Sequence, residues 1–183
     1  MSRTRFAWIG VVAGGILLSA GCGEGRAIFN VDVLSYEPTL ADTVPYSVTG
    51  GTSLPQISEA FSLNLPPGLG NSSVDSVTLQ YGATVLNTAG GGKFKVEFFF
   101  GSDSATVFSS SVVKADSVIV AGPDTQVIGP ISVPLLADTL FTQAQLWVGV
   151  RATVTANPGP TLTGRAVPVS ILRLRVVVQD KIF

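Results

Sequence analysis

Apolar and polar residues alternate along most of the chain after residue 26, in short runs that end at glycine or proline. A period of two is typical of β-strands that bury one face. The pattern predicts strands at residues 27–36, 46–49, 60–65, 74–81 with a continuation at 84–87, 93–100, 105–110, 117–120, 126–133, 146–155 and 167–179. The chain is therefore expected to be almost entirely β.

Two segments depart from simple alternation. Gly129-Pro130 interrupts the strand at 126–133, and since proline cannot donate a hydrogen bond to a neighbouring strand, this predicts an edge strand or a bulge. Residues 136–145 carry apolar side chains at helical spacing and predict one short helical turn, with Asp138 as its N-cap.

The fold class follows from the strand pattern. Short strands in which apolar and polar residues alternate are typical of antiparallel sheets with one solvent-exposed face, and two such sheets pack with their apolar faces together. We predict an all-β, antiparallel β-sandwich of immunoglobulin-like type, with about eight to ten strands, as a single domain over residues 27–183. A membrane-embedded barrel competes, and Phe183 suits it, but Gln179 and Lys181 interrupt the apolar alternation expected before its end.

The first residues follow a different pattern. Arg3 and Arg5 precede an apolar stretch at residues 6–18, and small residues lead to the one cysteine of the chain, Cys22. This order predicts a helical secretory signal peptide at residues 1–21, because the apolar stretch is shorter than the ~20 residues that cross a membrane.

The sequence Ser19-Ala-Gly-Cys22 resembles the lipobox of bacterial lipoproteins, although that family usually has leucine where Ser19 stands. The resemblance implies cleavage between Gly21 and Cys22 and attachment of acyl chains such as palmitate to Cys22. Gly23 implies the outer membrane of the cell envelope. Residues 22–26 would form a tether of ~17 Å. A secreted protein with a free Cys22 and an uncleaved membrane anchor remain alternatives.

Composition removes several kinds of chemistry. Histidine is absent and Cys22 has no partner cysteine, so catalytic triads, disulfides and the usual zinc sites are not expected. The aspartates are scattered, and we expect no metal, no cofactor and no catalytic residue; an enzyme using paired carboxylates is the least favoured alternative. After the signal, nine basic residues face twelve acidic ones, which argues against nucleic acid as a partner.

Three residues are candidates for a contact surface. Phe99 points away from the apolar face of its strand, and Trp147 shares a strand face with Arg151. Exposed aromatic side chains mark interaction sites when they cluster. The alternatives are that Phe99 lies beneath a neighbouring loop and that Trp147 belongs to the core.

The mature chain also loosely resembles immunoglobulin-like domains and the LEA-type-2 sandwich family, the latter through residues 74–81 followed by Asn87. We expect a membrane-anchored lipoprotein whose sandwich is a non-enzymatic binding, adhesion or envelope-structural module. Its expected partners are the membrane, through the acyl chains on Cys22, and an envelope protein or polysaccharide. The alternative is a carrier that holds lipid or another apolar ligand between the sheets.

Overall fold

The computed structural model describes residues 25–65, 73–109 and 114–179, so the predicted signal peptide and Cys22 lie outside the described residues. The described part contains the strands β1 (Arg26–Asp32), β2 (Val44–Val48), β3 (Ser53–Asn64), β4 (Ser73–Ala89), β5 (Gly91–Gly101), β6 (Lys114–Ala121), β7 (Asp124–Leu135), β8 (Gln145–Ala156) and β9 (Leu162–Gln179). Short 3-10 helices occupy Val33–Ser35, Pro38–Ala41, Val107–Ser109 and Thr139–Thr142.

The strands form two antiparallel sheets. Sheet A has the order β1-β9-β4-β7, and β2 pairs with β9 beyond the end of β1 on the same edge. Sheet B has the order β3-β8-β5-β6. The predicted all-β antiparallel sandwich is confirmed, because the inward side chains of both sheets join one hydrophobic cluster.

The pairing of the strands is nested. Along the sequence, the β5·β6 hairpin lies inside the β4·β7 pair, which lies inside the β3·β8 pair, and the β2·β9 pair encloses all three. The chain is thus one long hairpin wound into two sheets, which are completed by β4·β9 and β5·β8. This is the connectivity of a double-sheet jelly roll. It defines the order of the strands in each sheet, which the alternation of apolar and polar residues does not.

The core is built from the alternating positions that the sequence indicates. On β5, Phe94, Val96, Phe98 and Phe100 all face inward and are buried. The ring of Phe98 meets the ring of Tyr81 on the opposing sheet, with centroids 5.0 Å apart. Because aromatic pairs add to the stabilisation from buried area, this contact fixes the two sheets against each other.

The predicted interruptions are confirmed. β7 is the edge strand of sheet A, and its register against β4 shifts between Tyr81 and Ala83, opposite Gly129. Gly129 has a φ of 74°, and a Cβ there would lie 2.6 Å from the carbonyl oxygen of Tyr81, so the bulge requires glycine. At residues 136–145 the helical turn is Thr139–Thr142, where Asp138 accepts a hydrogen bond from the backbone N–H of Leu140.

One predicted strand is wrong. The strand predicted at 105–110 is absent from its described residues, 105–109; a turn at 104–106 leads into the 3-10 helix Val107–Ser109. Two adjacent apolar residues, Val107 and Phe108, would point to opposite faces of a strand, whereas the tight helical turn lets both pack on sheet B. β1 is shorter than predicted, because the chain turns into the 3-10 helix Val33–Ser35 after Asp32. The other strands are longer than predicted, and β3 and β9 begin at Ser53 and Leu162.

The connections divide between the two ends of the sandwich. β1 begins beside the end of β9, with Arg26 in register with Gln179. The same terminal end holds the last residues of β3, β5 and β7 and the first residues of β4, β6 and β8. The short connections at 48–53, 89–91, 121–124 and 156–162 lie at the far end. Within the described ranges no helix is long and apolar enough to cross a membrane.

Candidate functional site: the outer face of sheet B

The three candidate contact residues are brought together on one face. Trp147 and Arg151 project from β8, and Phe99 projects from the neighbouring β5, where it is in register with Gly149. All three lie on the outer face of sheet B, since the alternate residues of both strands form the core. We call Phe99, Phe108, Trp147 and Arg151 the aromatic patch.

Phe99 is covered by another part of the chain. Its ring lies under Phe108 of the Val107–Ser109 helix, in an edge-to-face arrangement with centroids 5.3 Å apart, and only 2% of Phe99 is exposed. The alternative that Phe99 lies beneath a loop is therefore the one that the structure bears out. Phe108 and Trp147 are half-buried and present the accessible aromatic surface of the patch.

Arg151 is held by the two phenylalanine rings. Its guanidinium carbon is 5.1 Å from the centroid of Phe99 and 4.9 Å from that of Phe108. A cation over an aromatic face is attracted by the ring quadrupole, and the attraction grows as the site loses water. Arg151 consequently fixes the Phe108 ring over the sheet while its own positive charge stays at the surface.

A glycine allows this stacking. A Cβ on Gly149 would lie 2.9 Å from Cε1 of Phe108 and 3.2 Å from Cβ of Phe99, both closer than normal contact. The missing side chain lets the Phe108 ring descend onto the strand. Phe108 was not among the predicted site residues. The sequence signal that could have identified it is a large apolar residue within a polar segment that follows a glycine. Such a residue can pack over a glycine of a neighbouring strand.

Asp103 fixes the segment that carries Phe108. Its carboxylate accepts hydrogen bonds from the backbone N–H groups of Ala105 and Thr106, at 2.9 Å each, and from the Thr106 hydroxyl at 2.5 Å. The Thr106 hydroxyl and then its N–H hold the pKa of this carboxyl below its usual value. Asp103 thus holds the turn that precedes the Val107–Ser109 helix.

Next to the patch lies a charge pair. Lys95 Nζ and Glu97 Oε1 are 2.6 Å apart, and both residues project from the outer face of β5. The partner of Glu97 is thus on its own strand rather than across the sheet, because the cross-strand neighbour Arg151 is engaged by the rings. Glu97 is 8% exposed and is buried as one member of an ion pair.

Cys22 and Gly21, the predicted lipidation and cleavage residues, lie outside the described residues. Across the described ranges, no three histidine, cysteine, aspartate or glutamate side chains come together as a group that could hold a metal ion.

No family model matches the sequence, and no curated protein matches it either. Among solved structures, the chain is similar over 86% of its length to 34% of a chain of the infectious bursal disease virus Gx strain, with 8% identity and a TM-score of 0.45. It is also similar over 83% of its length to 86% of a chain described as "CBM4 structure and function", with 10% identity and a TM-score of 0.37. The chain thus spans about a third of the viral chain, and both similarities are confined to the fold.

Proposed function

We propose that this protein is a bacterial lipoprotein, anchored through acyl chains on Cys22, whose β-sandwich is a non-enzymatic binding module of the cell envelope. The observation that supports the binding module is the filled interior beneath an outer face whose aromatic side chains are half-buried and partly accessible. Inward side chains from both sheets occupy the space between them, whereas Phe108 and Trp147 offer ring surface outside.

The packing favours a module over a carrier. A carrier would hold its apolar ligand between the sheets, but that space contains interlocked rings. Phe98 packs against Tyr81, and Phe100 packs edge-to-face against Phe141 with centroids 5.4 Å apart. Opening a cavity there would break close packing worth several kcal/mol for each large side chain (about 3–5 for a phenylalanine).

The path of the chain is compatible with a short anchor. β1 begins at Arg26, only four residues after Cys22, and Arg26 lies at the terminal end of the sandwich. At ~3.4 Å per residue the tether spans ~14–17 Å. The proposed anchor would therefore hold the terminal end close to the bilayer, and one face of each sheet would stand beside it.

The anchoring is tested by fractionation of cells that express the full chain. Cys22→Ala should move the protein from the membrane fraction to the soluble fraction and abolish incorporation of labelled palmitate, because the acylated thiol is lost. Ser19→Leu is the matched control: it changes the same segment and should keep the protein in membranes. Retention of Cys22→Ala in the membrane fraction would contradict the proposal.

The binding role is tested in the same membranes with a photoreactive benzophenone side chain. Placed at Trp147, it should cross-link to a distinct envelope macromolecule. Placed at Leu86, which is 46% exposed on sheet A, it should not give that product. Equal products from both positions, or none from Trp147, would exclude the aromatic patch as the contact surface.

A further inference from the structure

Two arginines stand side by side on the outer face of sheet A. Arg173 and Arg175 project from β9 two residues apart, and both are exposed. Successive outward side chains of a strand are ~7 Å apart, so the two guanidinium groups can act on one ligand. The ion pairs found in the described part of the chain are Arg26 with Asp75 and Lys95 with Glu97, which leaves both arginines without an acidic partner.

Polar groups surround the pair on the neighbouring strands. Arg175 is in register with Asn30 of β1 and Thr78 of β4, and Arg173 is in register with Asp32 and Gln80. With Ser132 of β7, these side chains line a depression of about 510 Å³ on the outer face of the sheet. It crosses four strands, or ~14 Å at the usual strand spacing.

We propose that this depression, which we call the arginine groove, binds an acidic polysaccharide. Guanidinium groups hold carboxylates through paired, charge-assisted hydrogen bonds. The amide and hydroxyl groups of Asn30, Thr78, Gln80 and Ser132 match the hydroxyl groups that border each carboxylate along such a polymer. The length of the groove accommodates more than one sugar ring.

Position favours a glycan over a lipid headgroup, and this choice rests on the proposed anchoring. Arg173 is six residues from Gln179, which places it ~20 Å along β9 from the terminal end of the sandwich. With that end held near the bilayer, the arginine groove stands beside the membrane rather than on it. A duplex or single-stranded nucleic acid would need a larger basic surface than two arginines.

Asp32 sets a limit on the charge of the groove. Its carboxylate lies on the strand beside Arg173 and repels an anionic ligand, although it does not neutralise the arginine through an ion pair. The proposal therefore predicts opposite effects for neighbouring substitutions: removing Arg173 and Arg175 weakens binding, and neutralising Asp32 strengthens it.

The experiment is affinity electrophoresis of the detergent-solubilised full-length protein in gels that contain polygalacturonate or neutral dextran. Polygalacturonate should retard the protein and dextran should not. Arg173→Gln combined with Arg175→Gln should raise the dissociation constant at least about tenfold, since two charge-assisted contacts are lost. Arg165→Gln, an exposed arginine of the same strand, should leave it unchanged, and Asp32→Asn should lower it.

Equal retardation of the double variant, or retardation by dextran, would overturn the proposal. Flotation of the non-acylated Cys22→Ala protein with phosphatidylglycerol vesicles tests a lipid headgroup as the alternative ligand. If adding the two arginine substitutions to this protein abolishes vesicle binding but leaves polygalacturonate binding intact, the ligand is a lipid and the glycan proposal fails. Cys22→Ala should bind polygalacturonate like the wild type, so that a failed anchor and a failed groove give different results.

Discussion

At the scale of single residues, Asn87 shows most clearly what alternation leaves out. It occupies an inward position of β4 and is 1% exposed, where the pattern predicts an apolar side chain. Its Oδ1 accepts a hydrogen bond from the Tyr46 hydroxyl at 3.1 Å, and its Nδ2 donates to the carbonyls of Gly90 and Gly122 at 3.0 and 2.6 Å. It joins β2 to two connections at the far end, partners that no local pattern indicates.

Asn87→Asp should be strongly destabilising. The substitution keeps the size of the side chain but directs a carboxylate oxygen at two carbonyl oxygens, in a buried site without a basic partner among these contacts. We expect the free energy of unfolding at pH 7 to fall by about 3 kcal/mol. Urea denaturation measures it, and Thr88→Ala on the exposed side of the strand is the control, with an expected loss of about 0.5 kcal/mol. Equal stability of the two variants would contradict this role.

At the scale of elements, alternation located the strands but not the segment that covers sheet B. β5, β8 and β9 follow their predicted inward and outward sets, because each buries one face. The segment after Gly101 was predicted as a strand from its apolar residues. Its conformation depends instead on hydrogen bonds to Asp103 and on the docking of Phe108 against Arg151, a residue more than forty positions away.

Asp103→Ala should loosen this segment without unfolding the sandwich. Amide hydrogen exchange at Ala105, Thr106 and the Val107–Ser109 helix should become faster, because the carboxylate that accepts the two N–H groups is lost. Ser104→Ala, beside it in the same exposed turn, should leave exchange unchanged.

The same contact gives a pH dependence to the wild-type segment. Since the pKa of Asp103 is lowered in the folded state, its stabilisation is present above the usual carboxyl pKa and is lost as the pH falls through the lowered pKa. Protection that stays constant under acid conditions, or in Asp103→Ala, would show that other contacts hold the segment.

At the scale of the whole molecule, the nested pairing of the strands could not be predicted from the sequence. Alternation tells which face of a strand is buried, but several partners satisfy the same face equally well. The residues of β2 and β9 that pair with each other are more than a hundred positions apart in the sequence. In addition to apolar contact, a hydrogen bond from the Tyr81 hydroxyl of β4 to Asp116 of β6, at 3.0 Å, joins the two sheets.

Two buried tyrosines make the molecule sensitive to alkali. Burial raises the pKa of Tyr46 to about 12. Burial also raises the pKa of Tyr81, and the hydrogen bond and the charge of Asp116 add to that effect. A folded pKa above the unfolded value of 10.0 means that the stabilisation is complete below pH 10 and is lost above it, because the unfolded chain releases the phenolic protons first.

The free energy of unfolding should therefore decrease as the pH rises from about 10 to about 12. Urea denaturation across this interval gives the slope. Tyr46→Phe should make the slope shallower, whereas Tyr36→Phe should not change it, since Tyr36 is 48% exposed. A free energy that stays level through the interval would show that neither phenol is protected from ionisation.

The antiparallel pairing of β1 with β9 has a mechanical consequence for the anchor that we propose at Cys22. Seven consecutive register pairs, from Arg26↔Gln179 to Asp32↔Arg173, run from the terminal end of the sandwich into the arginine groove. A pull on a ligand in that groove, away from the membrane, would run parallel to these strands. The seven pairs would then share the force in shear instead of opening one after another. β1 would therefore resist separation from β9.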